Sequence, residues 1–451
     1  YATVITNRLA INSKQNITLR GEPGASRDEV IVNGGSARLL YINSSSQSGL
    51  VVTNLTLTNF AAGYKASEGL GDTATYRGSV IHSSKGTTIA DCVIRDCKAG
   101  YAALYGAGIV CRDSVLTNCV GSSYSGAAVL GTYYNCRFIG NSNESGSGGA
   151  AAQISASNCW FEANVAAISG GAVLGGTVVN AGSAGSSCIL EDCVFTNNTA
   201  NGVTSADKGQ LGGAYATATF NPTKKDVYPD IFRRCHFYGN SAEVGGAVLT
   251  GSGSKSTTTD SVVPASFADC DFSGNEAGKR GGAAAEGFYI AKDAAEDAQR
   301  GLTISNCTFS ANVVTGGLFG GNKDESTGFA NITGGGALFG ANAVDSTFED
   351  CSAVYFGGAV IGGSFIGCTF TGNGVTVAPS GRNYGGGVGY RIEFASNCTF
   401  RANGRNAGAI SGELLLNCKE FHLTVFQDNM CTNRGWGLVS SSLPGMSFTD
   451  C

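Results

Sequence analysis

Charged residues are few in this chain. Asp, Glu, Lys and Arg account for 14% of its 451 residues, whereas soluble domains average about 25%. The net charge is -5 and the basic residues are scattered, so we expect no nucleic-acid partner. Long apolar runs are also missing, since none approaches the roughly 20 residues that a membrane-spanning helix needs. We therefore expect no transmembrane segment in this region.

Histidine is scarce, with only His82, His236 and His422 present. His236 takes an outward position on a predicted strand, and the other two lie in unrelated places, so the pattern does not favour a histidine-based site. The early cysteines lack the Cys-x-x-Cys pairs of zinc sites. The sequence predicts no catalytic residue, no cofactor-binding residue and no metal ligand.

Glycine, by contrast, is abundant at 68 residues, but it lacks the three-residue period of collagen. Aliphatic and aromatic residues are too plentiful for a disordered chain. These observations leave a turn-rich, all-β protein.

A motif of about 22 residues recurs along most of the chain. One half is Gly-Gly-Ala, as at 357–359, and the other is Cys-x-Phe-x-x-Asn, as at 368–373. The shortest start-to-start spacings, from Cys92 to Ser114, Cys136 and Cys159, are 22, 22 and 23 residues. Full copies of the second half begin at Cys136, Cys159, Cys193, Cys235, Cys270, Cys307, Cys368 and Cys398.

The repeat fits one coil of a β-solenoid. Alternation within Cys-x-Phe is the period of a strand, which sends Cys and Phe to one face. The unit is too short for a helix pair or a propeller blade, but it suits a parallel β-helix whose coils pair at roughly 4.8 Å. The predicted fold is therefore a parallel β-helix of about 14 to 15 coils. Longer spacings between copies are inserted surface loops, confined to two places in the repeat.

Stacked coils place equivalent residues above one another in columns. We expect one inner column of phenylalanines: Phe138, Phe161, Phe195, Phe237, Phe272, Phe309, Phe348, Phe370, Phe400, Phe426 and Phe448. We expect an asparagine column at a bend, where each amide bonds the amides of the neighbouring coils: Asn141, Asn164, Asn198, Asn240, Asn275, Asn312, Asn373, Asn403 and Asn429. The Gly-Gly-Ala sites mark a second bend, where glycine takes a positive φ at little cost.

The pairing of Gly-Gly-Ala-[Val/Leu/Ile] with Phe-x-x-Asn resembles the repeat of the polymorphic outer-membrane proteins (Pmp) over roughly residues 90–451. The resemblance implies a right-handed parallel β-helix of the pectin-lyase-like class and an adhesin-like role at a cell surface. It is specific for fold and much less specific for function.

We expect one elongated domain over residues 1–451, because a solenoid grows along one axis without dividing. Residues 1–60 lack cysteine and form the first coils, and residues 90–451 form the repeat region. The sequence ends on the last letter of a repeat, so we expect a piece of a longer chain.

Seventeen cysteines indicate an oxidising compartment, and we expect a secreted, extracellular or cell-surface location. Two arrangements stay open for the inward cysteines: stacked free thiols, or inter-coil disulfides. The disulfide candidates are Cys97 with Cys119, Cys136 with Cys159, and Cys368 with Cys398. Parallel Cβ atoms one coil apart lie slightly beyond the preferred disulfide distance, whereas Cys97 and Cys119, at the bend, are less constrained.

The sequence favours a non-enzymatic structural or adhesive protein. One form of this expectation is a filament subunit that joins copies of itself head to tail, and another is a protein that binds other surface proteins or glycans. The alternative is a pectin-lyase-like protein that binds or cleaves polysaccharide, for which the acids to consider are Asp91, Asp96, Glu191, Asp192, Asp269, Asp271, Glu349 and Asp350. Four outward threonines, Thr308, Thr347, Thr369 and Thr399, raise the lesser alternative of an ice-binding face. Trp160, in the same outward column, is placed to touch a sugar or a partner.

Asn-x-Ser/Thr sequences give glycosylation candidates. We single out Asn306 and Asn397, which precede an inward cysteine and should point outward, together with Asn16 and Asn331.

Overall fold

The computed structural model describes residues 2–4, 9–10, 16–35, 38–42, 49–61, 77–83, 85–175, 187–201, 210–217, 229–250, 265–286, 302–316, 333–376, 387–404, 415–416, 418–429, 439–440 and 447–451. They belong to two compact units. Unit 1 comprises Tyr1–Thr204 and Ala214–Ala216, and unit 2 comprises Ser205–Gly213 and Thr217–Cys451. No described helix is long and apolar enough to cross a bilayer.

Every described coil with four strands runs through sheets that we name, in chain order, C, A, D and B. All the pairings given for these sheets are parallel, and each joins a strand to its equivalent in a neighbouring coil. Sheet A contains the Cys-x-Phe strands. The chain is therefore a right-handed parallel β-helix, as predicted. Counted over both units, sheets A, B and C have 15 described strands each and sheet D has 10, in keeping with the expected number of coils.

In unit 1, the strands of sheet A are Ala2–Val4, Ile31–Asn33, Thr56–Thr58, Val93–Arg95, Val115–Thr117, Arg137–Ile139, Trp160–Glu162 and Val194–Thr196. Sheet C has Ile17–Arg20, Leu50–Thr53, Thr87–Ala90, Ile109–Arg112, Thr132–Tyr134, Ser155–Ser157 and Ile189–Glu191. Sheet D has Lys98–Ala99, Val120–Gly121, Ser142–Asn143, Val165–Ala166 and Thr199–Ala200. Sheet B has Leu9–Ala10, Leu40–Ile42, Ile81–Ser83, Leu104–Tyr105, Ala128–Val129, Ala151–Ala152, Val173–Gly175 and Tyr215–Thr217, the last residue of which belongs to unit 2.

In unit 2, sheet A has His236–Tyr238, Asp271–Ser273, Thr308–Ser310, Thr347–Glu349, Thr369–Thr371, Thr399–Arg401 and Val425–Gln427. Sheet C has Asp230–Arg233, Ala265–Ala268, Leu302–Ser305, Asn342–Val344, Ser364–Ile366, Phe394–Ser396, Glu420–His422 and Ser447–Thr449. Sheet D has Ser241–Val244, Glu276–Arg280, Val313–Val314, Ser352–Ala353 and Gly374–Val375. Sheet B has Val248–Thr250, Ala284–Glu286, Leu338–Phe339, Val360–Ile361, Gly389–Tyr390, Leu415–Leu416 and Val439–Ser440.

The first coils lack cysteine and contain strands such as Ile17–Arg20 and Leu50–Thr53. Most residues of the predicted insertions lie outside the described residues, for example 251–264 of the insertion predicted from Leu249 to Ala268, and 317–332 of the insertion predicted from Val313 to Gly334. The single-domain expectation for residues 1–451 stays a prediction.

Phenylalanine rings fill the interior behind sheet A. Phe138 stacks on Phe161 with ring centroids 4.7 Å apart, and in unit 2 Phe272 stacks on Phe309 at 4.8 Å. The rings lie within 4 to 12° of parallel through the column: Phe138, Phe161 and Phe195 in unit 1, and Phe237, Phe272, Phe309, Phe348, Phe370, Phe400 and Phe426 in unit 2. The placement of Phe448 in this column was wrong. Phe448 lies on sheet C, opposite Phe421, because its strand Ser447–Thr449 pairs with Glu420–His422.

Buried asparagines turn the chain from sheet A into sheet D. Asn141, Asn164, Asn240, Asn275 and Asn373 are fully buried. The backbone N–H of Asn275 donates to Oδ1 of Asn312 at 3.1 Å, and its Nδ2 donates to the same oxygen at 2.9 Å. Nδ2 also donates to the carbonyl of Phe237, on the other side, at 2.9 Å. Each amide therefore bonds backbone groups at the bend, which the hydrogen bonds of the sheets alone would leave without partners.

The two glycines of the Gly-Gly-Ala bend are required for different reasons. Positive φ falls on the first glycine of each pair, such as Gly148 at 74° and Gly245 at 63°. The second glycine is required by close approach, because a Cβ on Gly149 would overlap the carbonyl oxygen of Gly171. Positive φ, the reason expected from the sequence, therefore explains only the first glycine of each pair.

Candidate functional site

The corner between sheets C and A is one residue wide and left-handed. The residue before each buried Cys or Ser carries the turn, with φ of 50° at Asp91, 53° at Asp113, 51° at Asn135 and 51° at Asn158. Asn and Asp tolerate this conformation better than other residues with a side chain, because their short polar groups bond locally. The turn directs each of these side chains outward, so a column of amides and carboxylates lines the outside of the corner.

These corner side chains bond one another along the stack. Nδ2 of Asn158 donates to Oδ1 of Asn135 at 2.7 Å, and Nδ2 of Asn135 donates to Oδ1 of Asp113 at 3.0 Å. Arg27 closes the series by donating from Nη1 to the Asp113 carbonyl at 3.1 Å and to Oδ1 of Asp91 at 3.2 Å. The polar column is thereby held in one orientation while it stays exposed.

Trp160 stands beside this column on the outer face of sheet A. It is 40% exposed and lies in register between Arg137 and Val194 on the adjoining coils. A shallow recess of about 340 Å³ forms around the indole, lined by Asn135, Cys136, Arg137, Asn158 and Trp160. The exposed indole is not part of the core, because Phe161 is the side chain of this strand that packs inward.

Opposite charges flank the recess. Nη2 of Arg137 lies 3.6 Å from Oε2 of Glu162 on the next strand, and both side chains are exposed. Tyr134, 45% exposed, stands on the sheet C side of the same corner, one residue before Asn135. The surface thus presents two aromatic rings, two oriented amides and a charge pair whose formal sum is zero.

This arrangement suits binding more than bond cleavage. Aromatic rings pack against apolar ligand surface, and amides donate to and accept from hydroxyl groups. Glycosidic hydrolysis needs two carboxyl groups facing each other across the bond, with one protonated. At this corner the nearest acids already have partners: Oδ1 of Asp113 accepts from Nδ2 of Asn135, and Glu162 faces Arg137.

The acids singled out from the sequence are dispersed. Asp91, Asp192 and Asp269 occupy the C–A corner, and Asp96 and Asp350 occupy the corner between sheets A and D, all with positive φ. Glu191 lies on sheet C, and Asp271 and Glu349 lie on sheet A. Among the described residues, no group of three or more His, Cys, Asp or Glu side chains is arranged to hold a metal ion.

The four threonines form a single register column on sheet A of unit 2. Two residues further along these strands, the next outward column holds Ser310, Glu349, Thr371 and Arg401. The face is therefore one threonine wide rather than a uniform array.

The cysteines of the described residues are free thiols, buried in every case except Cys451. Cys97 and Cys119 occupy the asparagine column, where the Cys119 N–H donates to Oδ1 of Asn141 at 3.0 Å. Cys136 and Cys159 stack in register, as Cys368 and Cys398 do, and each thiol donates to carbonyls such as Tyr133 O at 3.5 Å from Cys159. Burial raises the pKa of the Cys92 thiol to about 11 and that of Cys351 to about 12. The inter-coil disulfides stay a prediction.

Three glycosylation candidates are exposed, namely Asn16, Asn306 and Asn397. Asn306 and Asn397 are corner residues, with φ of 49° and 52°. Nδ2 of Asn306 donates to Oδ1 of Asp269 at 2.6 Å, so a glycan there would replace that bond. Asn331 lies outside the described residues. Modification at any of the four stays a prediction.

Sequence reasoning placed Trp160 on the outer face but missed Asn135, Asn158 and Tyr134 as its neighbours. A signal was present, because the position before the repeat cysteine is Asp or Asn in most copies. Asp or Asn at a fixed step of a repeat marks a left-handed turn, and turns of one kind in successive coils bring their side chains together.

No protein-family model matches this chain, and no curated protein matches it either. Among solved structures, the catalytic unit of the thermostable GH87 α-1,3-glucanase from Streptomyces thermodiastaticus strain HF3-3 is 12% identical, with a TM-score of 0.34, over 100% of this chain and 63% of the glucanase chain. This chain thus spans less than two thirds of that protein's length. The mannuronan C-5 epimerase A-module of Azotobacter vinelandii is 10% identical, with a TM-score of 0.28, over 99% of this chain and 90% of that one. A PL6-family alginate lyase is 9% identical, with a TM-score of 0.23, over 100% and 95%. Likeness at this level carries no activity over to this chain.

Proposed function

We propose that this chain is an extracellular or cell-surface β-helix that binds an uncharged polysaccharide on the outer corner around Trp160. The observation that carries the proposal is the exposed indole beside two amides fixed by hydrogen bonds to each other and to Asp113. A sugar ring has an apolar face for the indole and hydroxyl groups for Asn135 and Asn158.

The charge pair favours uncharged ligands. Because Arg137 already faces Glu162, a carboxylate on the ligand would gain one attraction and one repulsion of similar size. The recess is also shallow, which suits a long polymer lying across the coils better than a small molecule enclosed in a pocket.

Two sequence features support the location. The repeat resembles that of the polymorphic outer-membrane proteins, and the cysteine content is high for a cytosolic chain. Adhesion to glycans is a role that such a face would serve. Head-to-tail self-association, the other partner expected from the sequence, stays a prediction.

A binding assay with neutral polymers tests the proposal. Affinity electrophoresis in gels containing a soluble β-glucan, an α-glucan or a xylan should show retardation by at least one of them. Trp160→Ala should weaken that binding about 10-fold or more, which corresponds to about 1.4 kcal/mol. Trp160→Phe should restore part of it, and raised salt should change it little because no ion pair is made.

Ile189→Ala is the matched control, since Ile189 is a similarly exposed apolar residue on sheet C of the same unit. Its binding should equal that of the unchanged protein. The proposal fails if no neutral polymer retards the protein in the gels and no common neutral glycan binds it on an array. It also fails if Trp160→Ala binds as well as Ile189→Ala.

A further inference from the structure

Four aromatic side chains cluster at one edge of sheet B in unit 1. Tyr105 lies on the outer face of the strand Leu104–Tyr105, in register with His82 of the preceding coil. The Tyr105 ring is nearly perpendicular to the rings of His82 and Tyr101, at centroid distances of 5.2 and 6.0 Å. Tyr124 stacks on Tyr101, with centroids 5.0 Å apart and 18° between the ring planes.

The stacking of the coils brings two of these tyrosines together. Tyr101 and Tyr124 each lie in the bend between sheets D and B of their own coil, and the backbone N–H of Ser125 donates to the carbonyl of Tyr101 at 2.8 Å. The tyrosine side chains of the cluster are partly exposed, whereas Leu104 and Ala128 fill the interior on the other face of sheet B. The cluster is therefore not required to complete the core.

Arg77 adds a positive charge to the cluster. Its Cζ lies 5.3 Å from the centroid of the Tyr105 ring. Nε of Arg77 is buried without a hydrogen-bond partner, and no ion pair of Arg77 is found among the described residues. A guanidinium group that packs against an aromatic ring directs its other N–H groups away in its own plane, where they can donate. Its charge is not neutralised within the described part of the chain.

The tyrosine hydroxyls are further hydrogen-bond donors. Within the described ranges, no hydrogen bond is found for the hydroxyls of Tyr101, Tyr105 and Tyr124. Desolvation by burial raises the pKa of the Tyr105 hydroxyl above its usual range; Arg77 opposes that shift, and Tyr101 and Tyr124 add to it. The Tyr105 hydroxyl therefore stays protonated at neutral pH and can donate. The four groups also lie within electrostatic reach of one another.

We infer that Arg77, Tyr101, Tyr105 and Tyr124 form a binding site for a phosphate monoester. At neutral pH a phosphate monoester carries a charge of about -1.5 to -2 on three terminal oxygens, which are strong acceptors. These oxygens can accept from the two Nη atoms of Arg77 and from the tyrosine hydroxyls. A carboxylate has only two oxygens and matches fewer of these donors.

The tyrosine rings favour a phosphate that is attached to an apolar group. Tyr101 and Tyr124 are partly exposed and stack in parallel, so their rings offer apolar surface beside the donors. An aryl phosphate should therefore bind more tightly than inorganic phosphate. The site is distinct from the Trp160 recess, which lies at the corner between sheets C and A and whose proposed ligand is uncharged.

Isothermal titration calorimetry with small esters tests the inference. Phenyl phosphate, methyl phosphate, inorganic phosphate and phenyl sulfate are titrated separately into the full chain. Phenyl phosphate should bind saturably with a Kd below about 1 mM, and inorganic phosphate more weakly. Raised salt should weaken this binding, because it depends on the charge of Arg77.

Variants of the four residues give graded losses. Arg77→Gln should weaken the binding of phenyl phosphate about 10-fold or more. Arg77→Lys should bind with intermediate affinity, because it keeps the charge but loses the paired N–H donors. Tyr101→Phe and Tyr124→Phe should each weaken binding about 3- to 10-fold, as for the loss of one hydrogen bond. Circular dichroism confirms that each variant is folded.

Arg20→Gln is the matched control, since Arg20 is an exposed arginine on sheet C of the same unit and its loss changes the net charge equally. The inference is overturned if neither phenyl nor methyl phosphate binds saturably at about 10 mM, or if Arg77→Gln binds as well as Arg20→Gln. It is equally overturned if phenyl sulfate binds as tightly as phenyl phosphate. Arg77→Gln should leave the retardation by neutral polymers unchanged, so a failure here is distinguishable from a failure of the binding role proposed for Trp160.

Discussion

Asn141 donates twice to one atom of Asn164. Its backbone N–H lies 2.9 Å from Oδ1 of Asn164, and its Nδ2 lies 3.1 Å from the same oxygen. Asn164 in turn donates from Nδ2 to the Phe138 carbonyl at 2.9 Å and to Oδ1 of Asn198 at 2.9 Å. One fully buried side chain thus bonds groups on both sides of its own coil.

Replacing Asn164 with Leu should destabilise unit 1 by about 2 to 5 kcal/mol, because buried donors of Asn141 and the Phe138 carbonyl lose their partner. Chemical denaturation followed by circular dichroism measures the change. Asn118→Gly is the control: Asn118 is an exposed corner amide that donates to Asp96, and glycine keeps its left-handed turn. An equal loss in both variants would mean that the buried ladder contributes nothing special.

Phe272→Ala should cost about 3 to 5 kcal/mol, since the ring is 1% exposed and stacks on Phe237 and Phe309. Phe448→Ala is its counterpart outside the core, at 46% exposure, and should cost less than about 1 kcal/mol. Urea midpoints of the two variants compare them directly. Similar midpoints would contradict the central place given to the phenylalanine column.

The corner residues allow a stabilising change. Ala163 and Ala311 are exposed and adopt φ of 53° and 51°, where an L side chain is strained and glycine is not. Ala163→Gly and Ala311→Gly should each raise the free energy of unfolding by about 0.5 to 1 kcal/mol. Ala166→Gly, in a buried strand, should lower it by about 1 kcal/mol. A lower melting temperature for all three variants would contradict the backbone strain that we assign to alanine at the left-handed corner.

Buried thiols should resist alkylation in the native state. With its pKa raised to about 11, Cys92 is about one part in a thousand thiolate at pH 8, and it is also shielded from reagent. Thiolate rises with pH, so any native labelling should increase toward pH 10. Mass spectrometry after iodoacetamide treatment should find Cys451 labelled first among the described cysteines and all of them labelled in denaturant.

The same labelling decides between thiols and disulfides. Cysteines that react in denaturant without reductant are free, whereas those that need reductant are paired. Pairing of Cys97 with Cys119, or of Cys136 with Cys159, would contradict the stack of free thiols in the structure.

The fold could be predicted because its signals are local and repeated. Cys-x-Phe sets which face is buried, and a spacing of about 22 residues fixes the length of a coil. The recess could not be predicted in the same way, since it depends on which coil lies beside which. Asn135, Tyr134 and Trp160 are spread over two copies of the repeat, and only the register of Arg137 opposite Trp160 brings them to one corner. A contact between His236 and Asp271 on sheet A has the same origin, because a strand pairing joins residues 35 positions apart.

Phe448 shows where the repeat misleads. Its local pattern, Met446-Ser-Phe, resembles the sheet A strand, but register places it opposite Phe421 on sheet C. A degenerate copy keeps the alternation of a strand, but it does not determine to which sheet of the coil the strand belongs.

The asparagine ladder also has a direction. Asn373 and Asn403 each donate from the backbone N–H and from Nδ2 to one amide oxygen of the coil after them. Nδ2 of each also donates back to a phenylalanine carbonyl of the coil before. Amide dipoles aligned head to tail reinforce one another, as they do along an α-helix. A cut at any level of the ladder would therefore expose two different surfaces: one presents two N–H donors and a phenylalanine carbonyl, and the other presents one Oδ1 acceptor and one Nδ2 donor. A coil can join such a surface in only one of its two orientations, so the stack carries a chemical polarity independent of the loops on its outside.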